Sequence, residues 1–310
     1  MPPVNRDALN SGVLQTWLVR QALKQLEPST YFYKLGKKPV EQSGYNTISW
    51  LKFDQLATSS VTTGDATNDG VSPDETAFNA TVVSATPAQH RVVVSLSDMV
   101  VENNVVDFVK GAAIAVGNVM ARKIDVVIQT EVMAGSQVLY GGSAAARTAL
   151  GANDKMTAAL LNKADTLLEN NSALRMDGGF VAVMHPNVVH DLRAETGTGN
   201  WLEVNKYVVP EKIFKGEIGM LSGIRVVKSP NVQSFASTVT VYPTLVVGEE
   251  AYGVAEFQNM KVYITPATSS DSDPLVQRRK VGAKMAFAAK RLQELCMVRI
   301  ETAATGVVSQ

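Results

Sequence analysis

The sequence predicts an α+β chain made of an extended β-hairpin arm, one long helix and a compact mixed domain. Three observations lead there. Residues 53–90 contain no Lys or Arg, are dense in Thr, Ser, Gly and Asn, and lie between two strand-like pieces. Residues 105–133 place apolar side chains every three or four positions. From residue 154 onward, short helical and strand-like segments alternate.

Composition narrows the class. With 45% hydrophobic and 19% charged residues, the 310-residue chain has ample material for a core and does not read as disordered. Lys+Arg and Asp+Glu number 29 each, so the net charge makes no general bid for nucleic acid. One cysteine, Cys296, excludes an intrachain disulfide and a Cys-based zinc site. The opening PPVNRDALNSG has no basic-then-apolar signal pattern. The most apolar segment, 112–121, is broken by Gly117 and Asn118 and flanked by Lys110 and Arg122, which does not suit a membrane span.

The elements follow in order. Val13, Leu14, Trp17, Leu18, Ala22 and Leu26 form the stripe of an amphipathic helix over Gly12–Leu26, stopped before Pro28. No neighbouring helix is at hand to cover it, so it folds back or docks on another chain. Strands are predicted at 45–53 and 88–96; the second sets Val92, Val94 and Leu96 on one face and Arg91 and Ser95 on the other. The segment between them carries Asp54, Asp65, Asp69, Asp74 and Glu75, with scattered apolar residues such as Val61, Phe78, Val82 and Val83. Its β-branched content favours extended structure, but it is too thin in apolar residues to cover itself, so a long hairpin here needs a partner surface.

The helix from Val105 to about Met133 has Asn103 or Asn104 available as cap and Gly135 as stop. Its length exceeds the globular mean of ~11–12 residues, which makes it a spine. Asp154 is read as the cap of a helix through Leu168. FVAVMHP (180–186) reads as a buried strand, NVVHDLRAE as a helix, and GEIGMLSG as a turn before the strand Ile224–Lys228. TLVVGEEAYGVAEF, KVYITP, VGAKMAF and LCMVRIETA are strand-like, although KRLQELCMV fits a helix equally well.

Catalytic and metal patterns are poor. HPNVVH spaces His185 and His190 by five residues, not the four of a zinc-binding helix face, and His90 stands apart from both. There is no nucleophile elbow and no phosphate loop, and Cys296 reads as a core thiol. DATNDGVSPDET (65–76) imitates a calcium loop at its first, fifth and sixth positions but ends on Thr76, where a bidentate Glu is needed. No cofactor is expected. Charge is partitioned instead: residues 275–301 carry Arg278, Arg279, Lys280, Lys284, Lys290, Arg291 and Arg299 against Glu294 and Glu301. An acidic arm and a basic C-terminal region on one chain type allow head-to-tail association.

This order of elements resembles the major capsid proteins of tailed bacteriophages, the HK97-like fold. The likeness is carried by KLGKKPVEQSGYNTISWLKFDQL (34–56), by SLSDMVVENNVVDFVKGAAIAVGNVMARKIDVVIQTEVMAG (95–135), by HPNVVHDLRAETG (185–197) and by VVPEKIFKGEIGMLSGIRVVKSP (208–230). The resemblance implies an N-terminal arm over 1–35 and an extended loop with its base strands over 36–100. The spine helix and connector of the peripheral domain take 101–154, an axial domain 155–250, and returning strands 251–310. It implies a subunit that self-assembles as hexamers and pentamers into an icosahedral shell around double-stranded DNA, without sequence-specific binding, without a membrane and without catalysis. Separate scaffolding, decoration and portal proteins are the further candidate partners, and the site is the virion capsid, assembled in the bacterial host cytoplasm.

Candidate assembly residues are Trp17, Asp65, Asp69, Asp74, Glu75, Phe78, Arg278, Arg279 and Lys280. Some capsids of this fold cross-link a loop Lys to an Asn; 53–90 has no Lys, so non-covalent contacts are expected. Two alternatives stay open at this point: another phage structural subunit, such as a tail tube or fibre, and a mixed α/β enzyme.

Overall fold

The computed structural model describes residues 31–39, 47–53, 56, 61, 75–102, 107–195, 217–265 and 273–306. The expected helix Gly12–Leu26, the calcium-loop look-alike up to Asp74, and Asn103 and Asn104 lie outside them.

Architecture is set by which runs are buried on two faces and which on one. FVAVM forms β5 (Phe180–Met184), and all five residues are buried. Phe180, Ala182 and Met184 enter one core while Val181 and Val183 enter another, as expected of a strand covered on both sides. β5 pairs in parallel with β7 (Ile224–Lys228) and antiparallel with β9 (Thr240–Val247). Outward from these lie β6 (Glu217–Leu221), beside β7, and β12 (Met297–Ala303), beside β9. β4 (Val138–Tyr140) closes one edge in parallel with β12, and β8 (Phe235–Ala236) adds to β9. One face is covered by α4 (Ala158–Asn170) and α5 (Pro186–Ala194), which contribute Leu161, Ala164, Leu168, Val188 and Leu192.

Beyond this seven-stranded sheet, β3 (Ala88–Ser97), β10 (Tyr252–Ile264) and β11 (Arg278–Arg291) make a three-stranded antiparallel sheet in the order β10-β11-β3. β1 (Ile48–Phe53) and β2 (Ala80–Ala85) form a separate ribbon. The one-turn α1 (Phe32–Leu35) and the short α2 (Asp98–Glu102) complete the described elements with the spine, α3 (Phe108–Met133).

α3 has 26 residues and so runs for about 39 Å. That length joins the two sheets. Val116 and Met120 pack on Ala283, Met285 and Phe287 of β11, whereas Ile128, Val132 and Met133 enter the core that contains Val181 and Leu245. Gln129 is fully buried; its amide donates to the Asn231 carbonyl at 3.0 Å and accepts from the Gln233 N–H at 3.1 Å. It thereby pins the helix to the turn after β7.

Several local expectations are corrected. The spine is capped by Asp107, whose carboxylate accepts the Lys110 N–H at 3.0 Å. Asp is as good a cap as Asn, and this one stands immediately before the first helical residue. α4 is capped by Thr157 rather than Asp154, which instead accepts the Gly151 N–H and ties its own carbonyl to Ala303. GEIGMLSG does not form a turn before β7. It contributes β6, and the turn is confined to Ser222 and Gly223, both at positive φ (48° and 73°), the geometry of a two-residue type I′ hairpin. TLVVGEEAYGVAEF divides between β9 and β10. The ambiguous KRLQELCMV belongs to strands β11 and β12, with one 3₁₀ turn at Glu294–Cys296 between them.

Candidate assembly surfaces

The arm begins as a ribbon with two unlike faces. Ile48, Trp50 and Ala85 turn inward onto Ala255 and Ala288. The Trp50 indole lies flat on Gly253, where a Cβ would meet ring carbons at 2.7 Å. Gly253→Ala is therefore expected to push the arm root off the sheet and to cost about 1–3 kcal/mol, as overpacking does. Thermal melting together with Trp fluorescence reads this; an unchanged melt with an unchanged spectrum would show that the indole is not wedged there.

The opposite face of the ribbon is apolar and, among the described residues, uncovered. Leu51 stands across from Val82, and Phe53 stacks on Phe78 with centroids 5.5 Å apart. Leu51, Phe53, Phe78 and Val82 are each 57–62% exposed. Contiguous exposed apolar surface of this kind marks an interaction site.

A second surface lies on the side of the three-stranded sheet away from α3. β11 alternates cleanly, burying Val281 and, against the helix, Ala283, Met285 and Phe287, and sending Lys280, Gly282 and Lys284 outward. Register then brings cations together. Arg91 of β3, Lys284 of β11 and Lys261 of β10 are directly opposed across three strands. Like charges opposite one another destabilise a sheet unless an anion neutralises them. Beside it is an open cleft of about 430 Å³ whose lining includes Arg91, Val93, Tyr263, Lys280 and Lys284 and, among the described residues, no acid. Val93 is 63% exposed, and the Lys284 ammonium sits 5.3 Å from the Tyr263 ring centre.

A model of the phage capsid protein family matches residues 63–247, more than half of the chain. The chain belongs to the phage capsid protein family. A structural role, not catalysis, follows from that membership. No curated protein sequence matches this capsid protein at a significant level.

Solved capsid structures share its fold. The capsid of Ralstonia phage GP4 aligns with a TM-score of 0.72 at 16% identity, covering 96% of each chain. The capsid asymmetric unit of cyanophage Pam1 aligns with a TM-score of 0.74 at 14% identity, over 96% of this chain and 98% of that one. The acid-stable capsid of Helicobacter pylori bacteriophage KHP30 aligns with a TM-score of 0.68 at 11% identity, over 98% and 99%. Identities this low establish the fold alone, the α+β architecture anticipated as HK97-like.

The residues nominated from sequence fare unevenly in this capsid protein. Trp17, Asp65, Asp69 and Asp74 fall outside the described residues, whereas Glu75 and Phe78 are exposed on the stretch leading into β2. The basic triplet divides. Arg278 pairs with Asp273 at 3.7 Å and Arg279 with Glu102 at 4.0 Å, so both charges are partly satisfied within the chain. Lys280 is exposed and has no ion pair among the described residues. Further along, Lys290 and Arg291 are held by Glu131, and Arg299 by Glu301. Among the described residues, the cations on this face of the three-stranded sheet without an ion pair are thus Arg91, Lys261, Lys280 and Lys284. Strand alternation had already set Arg91 outward, but its meeting with Lys284 depends on pairing between strands 193 residues apart.

Two of the three histidines, His185 and His90, serve packing. His185 caps α5, its Nδ1 accepting the Asn187 N–H at 3.2 Å, and its ring rests on Tyr242. Burial lowers its pKa. His90 packs on Phe287, with its pKa lowered by burial and by Lys123. Cys296 is buried, and burial raises its thiol pKa.

Proposed function

We propose that this chain is the major subunit of an icosahedral phage shell, in which each arm is completed by a neighbouring copy. The observation that carries this is the ribbon face of Leu51, Phe53, Phe78 and Val82, which nothing in the described chain covers. The arm beyond it holds five acids and no cation. The outward row Arg91–Lys284–Lys261 with Lys280 supplies the opposite charge and an apolar floor in Val93 and Tyr263. Asp65, Asp69, Asp74 and Glu75 of one copy are assigned to this surface on the next, with Arg278 and Arg279 at its rim and Trp17 in a separate N-terminal contact.

In the finer reading, 1–35 is the N-terminal arm, 36–100 the extended loop, 101–154 the spine and connector, 155–250 the axial domain and 251–310 the returning strands. Copies form hexamers and pentamers in the host cytoplasm and enclose double-stranded DNA delivered to the shell. Contacts are non-covalent, because 53–90 offers no Lys for a loop-tip cross-link. Scaffolding, decoration and portal functions belong to separate proteins.

Electron microscopy with sedimentation on the purified chain tests the reading. Uniform closed shells or five- and six-membered rings are expected. A small fixed oligomer at every concentration, unchanged when the other virion proteins are added, would overturn it.

A further inference from the structure

One buried carboxylate has no part in the packing of sheets or in the assembly surfaces. Asp125 lies on the spine α3 with no solvent exposure. Its Oδ2 accepts the Tyr31 N–H at 3.1 Å, and the Tyr33 N–H also reaches the carboxylate, so it holds the first turn of α1. Its Oδ1 is buried with no hydrogen-bond partner among the described residues. From the other side, the Tyr252 hydroxyl of β10 donates to the Phe32 carbonyl at 2.5 Å, and Phe32 itself is fully buried. Two residues after the end of α1, main-chain bonds join Lys37 to Tyr252 and Val254. The segment from which residues 1–30 depart is thus fastened to the spine at one end and to β10 at the other.

We propose that Asp125 is a proton-operated latch on the segment 31–35, held shut when its carboxyl is neutral and loosened when the carboxyl is ionised. The geometry dictates the direction. A carboxylate deprived of water, with one oxygen unpartnered, is stabilised only by amide N–H groups, and burying it is costly unless it is paired.

The surrounding charges do not relieve it. From α1 it meets main-chain amides, while the Tyr33 phenol engages Glu256 and Lys38. From β10 it meets the Tyr252 phenol, whose pKa is raised by burial and by the Asp125 charge. The β11 cations Lys290 and Arg291 pair with Glu131, and on α3 itself Lys123 acts on His90. Burial accordingly raises the Asp125 pKa from 3.8 to about 6 against the opposing effect of the two amides. An acid whose pKa is higher in the closed state takes up a proton on closing. The latch is therefore favoured at low pH, and this advantage is lost as pH rises through about 6.

Hydrogen–deuterium exchange on the full chain tests this, read on the peptide spanning 31–38 after correction for intrinsic rates. Protection should fall by roughly 30-fold from pH 4.5 to pH 8. A β11 peptide covering 281–287 should stay level. Asp125→Asn should abolish the slope. Should that variant not fold, Tyr252→Phe keeps the carboxyl and should lower protection at every pH with the slope retained. A flat wild-type profile, an undiminished slope in Asp125→Asn, or a lost slope in Tyr252→Phe would overturn the proposal. Exchange is read equally well on unassembled chain, so the result stands apart from whether shells form.

Discussion

A chain carrying Arg91→Glu and Lys284→Glu together is expected to fold normally and to form no shells at moderate salt. The two residues oppose each other across β3 and β11, so reversing both exchanges one like-charge pair for another. Lys284→Glu also places an anion beside Lys261, which offsets part of the existing repulsion. The fold therefore loses little, and melting should stay within about 2 °C of the parent. If the acidic arm docks here as proposed, the surface becomes one that repels it, at a cost of several kcal/mol for each contact. Because every subunit repeats the contact, the threshold concentration for assembly should rise beyond reach. Adding Asp74→Lys and Glu75→Lys should restore shells, since the pairing is then inverted rather than lost. Assembly of the parent should weaken with salt as the Debye length shrinks below about 10 Å. Normal shells from the doubly reversed chain, seen by sedimentation and microscopy, would show that these cations are ordinary solvated surface.

Glu301→Ala is expected to be the most destabilising single substitution in the mixed domain. Glu301 is on β12 and fully buried. Arg147 reaches it with two nitrogens, at 2.8 and 2.5 Å, and Arg299 lies 2.8 Å away. The Arg147 guanidinium also covers the Phe235 ring at 4.0 Å, tying the connector after β4 to β8. Removing the carboxylate leaves two guanidinium groups facing each other in a site built for three charges. Breaking a buried pair costs about 3–5 kcal/mol, and with the Arg147 side chain a third exposed the loss here should lie at the lower end of that range. Melting should fall by on the order of 10 °C. Glu301→Gln keeps an acceptor for Arg147 and should lose roughly half as much. A Glu301→Ala melt within 2 °C of the parent would mean that water already screens this network.

Legibility differed by element in ways that follow from the physics. Periodicity along one segment revealed what one segment decides. The spine helix, the doubly buried β5 and the outward alternation of β3 were all readable, because burial on one or two faces imprints a repeat of 3.6 or 2 on the residues themselves. Helix caps were less legible: Asp107 and Thr157 each stood near another good cap residue, and only the entry angle of the chain selects between neighbours. The return strand of the arm was the clearest miss. Residues 80–85 pair with β1, whereas 88–97 leave for another sheet, and the change of partner occurs over two residues without a composition break.

The candidate surfaces divide in the same way. That residues 53–90 lack cations, that residues 275–301 are basic and that the arm cannot cover itself are properties of composition, and the sequence by itself determined them. Which cations remain available was decided only by tertiary structure. Arg278, Arg279, Lys290, Arg291 and Arg299 find acids within the chain, while Lys261 and Arg91 are brought beside Lys284 by strand register. The latch at Asp125 is likewise invisible in sequence, where it is one polar residue in an amphipathic helix. It becomes a buried acid because residues 31–35 fold back over it from 90 positions away. Pairings over such separations depend on how whole elements close around a core, and no local pattern of residue types encodes that closure.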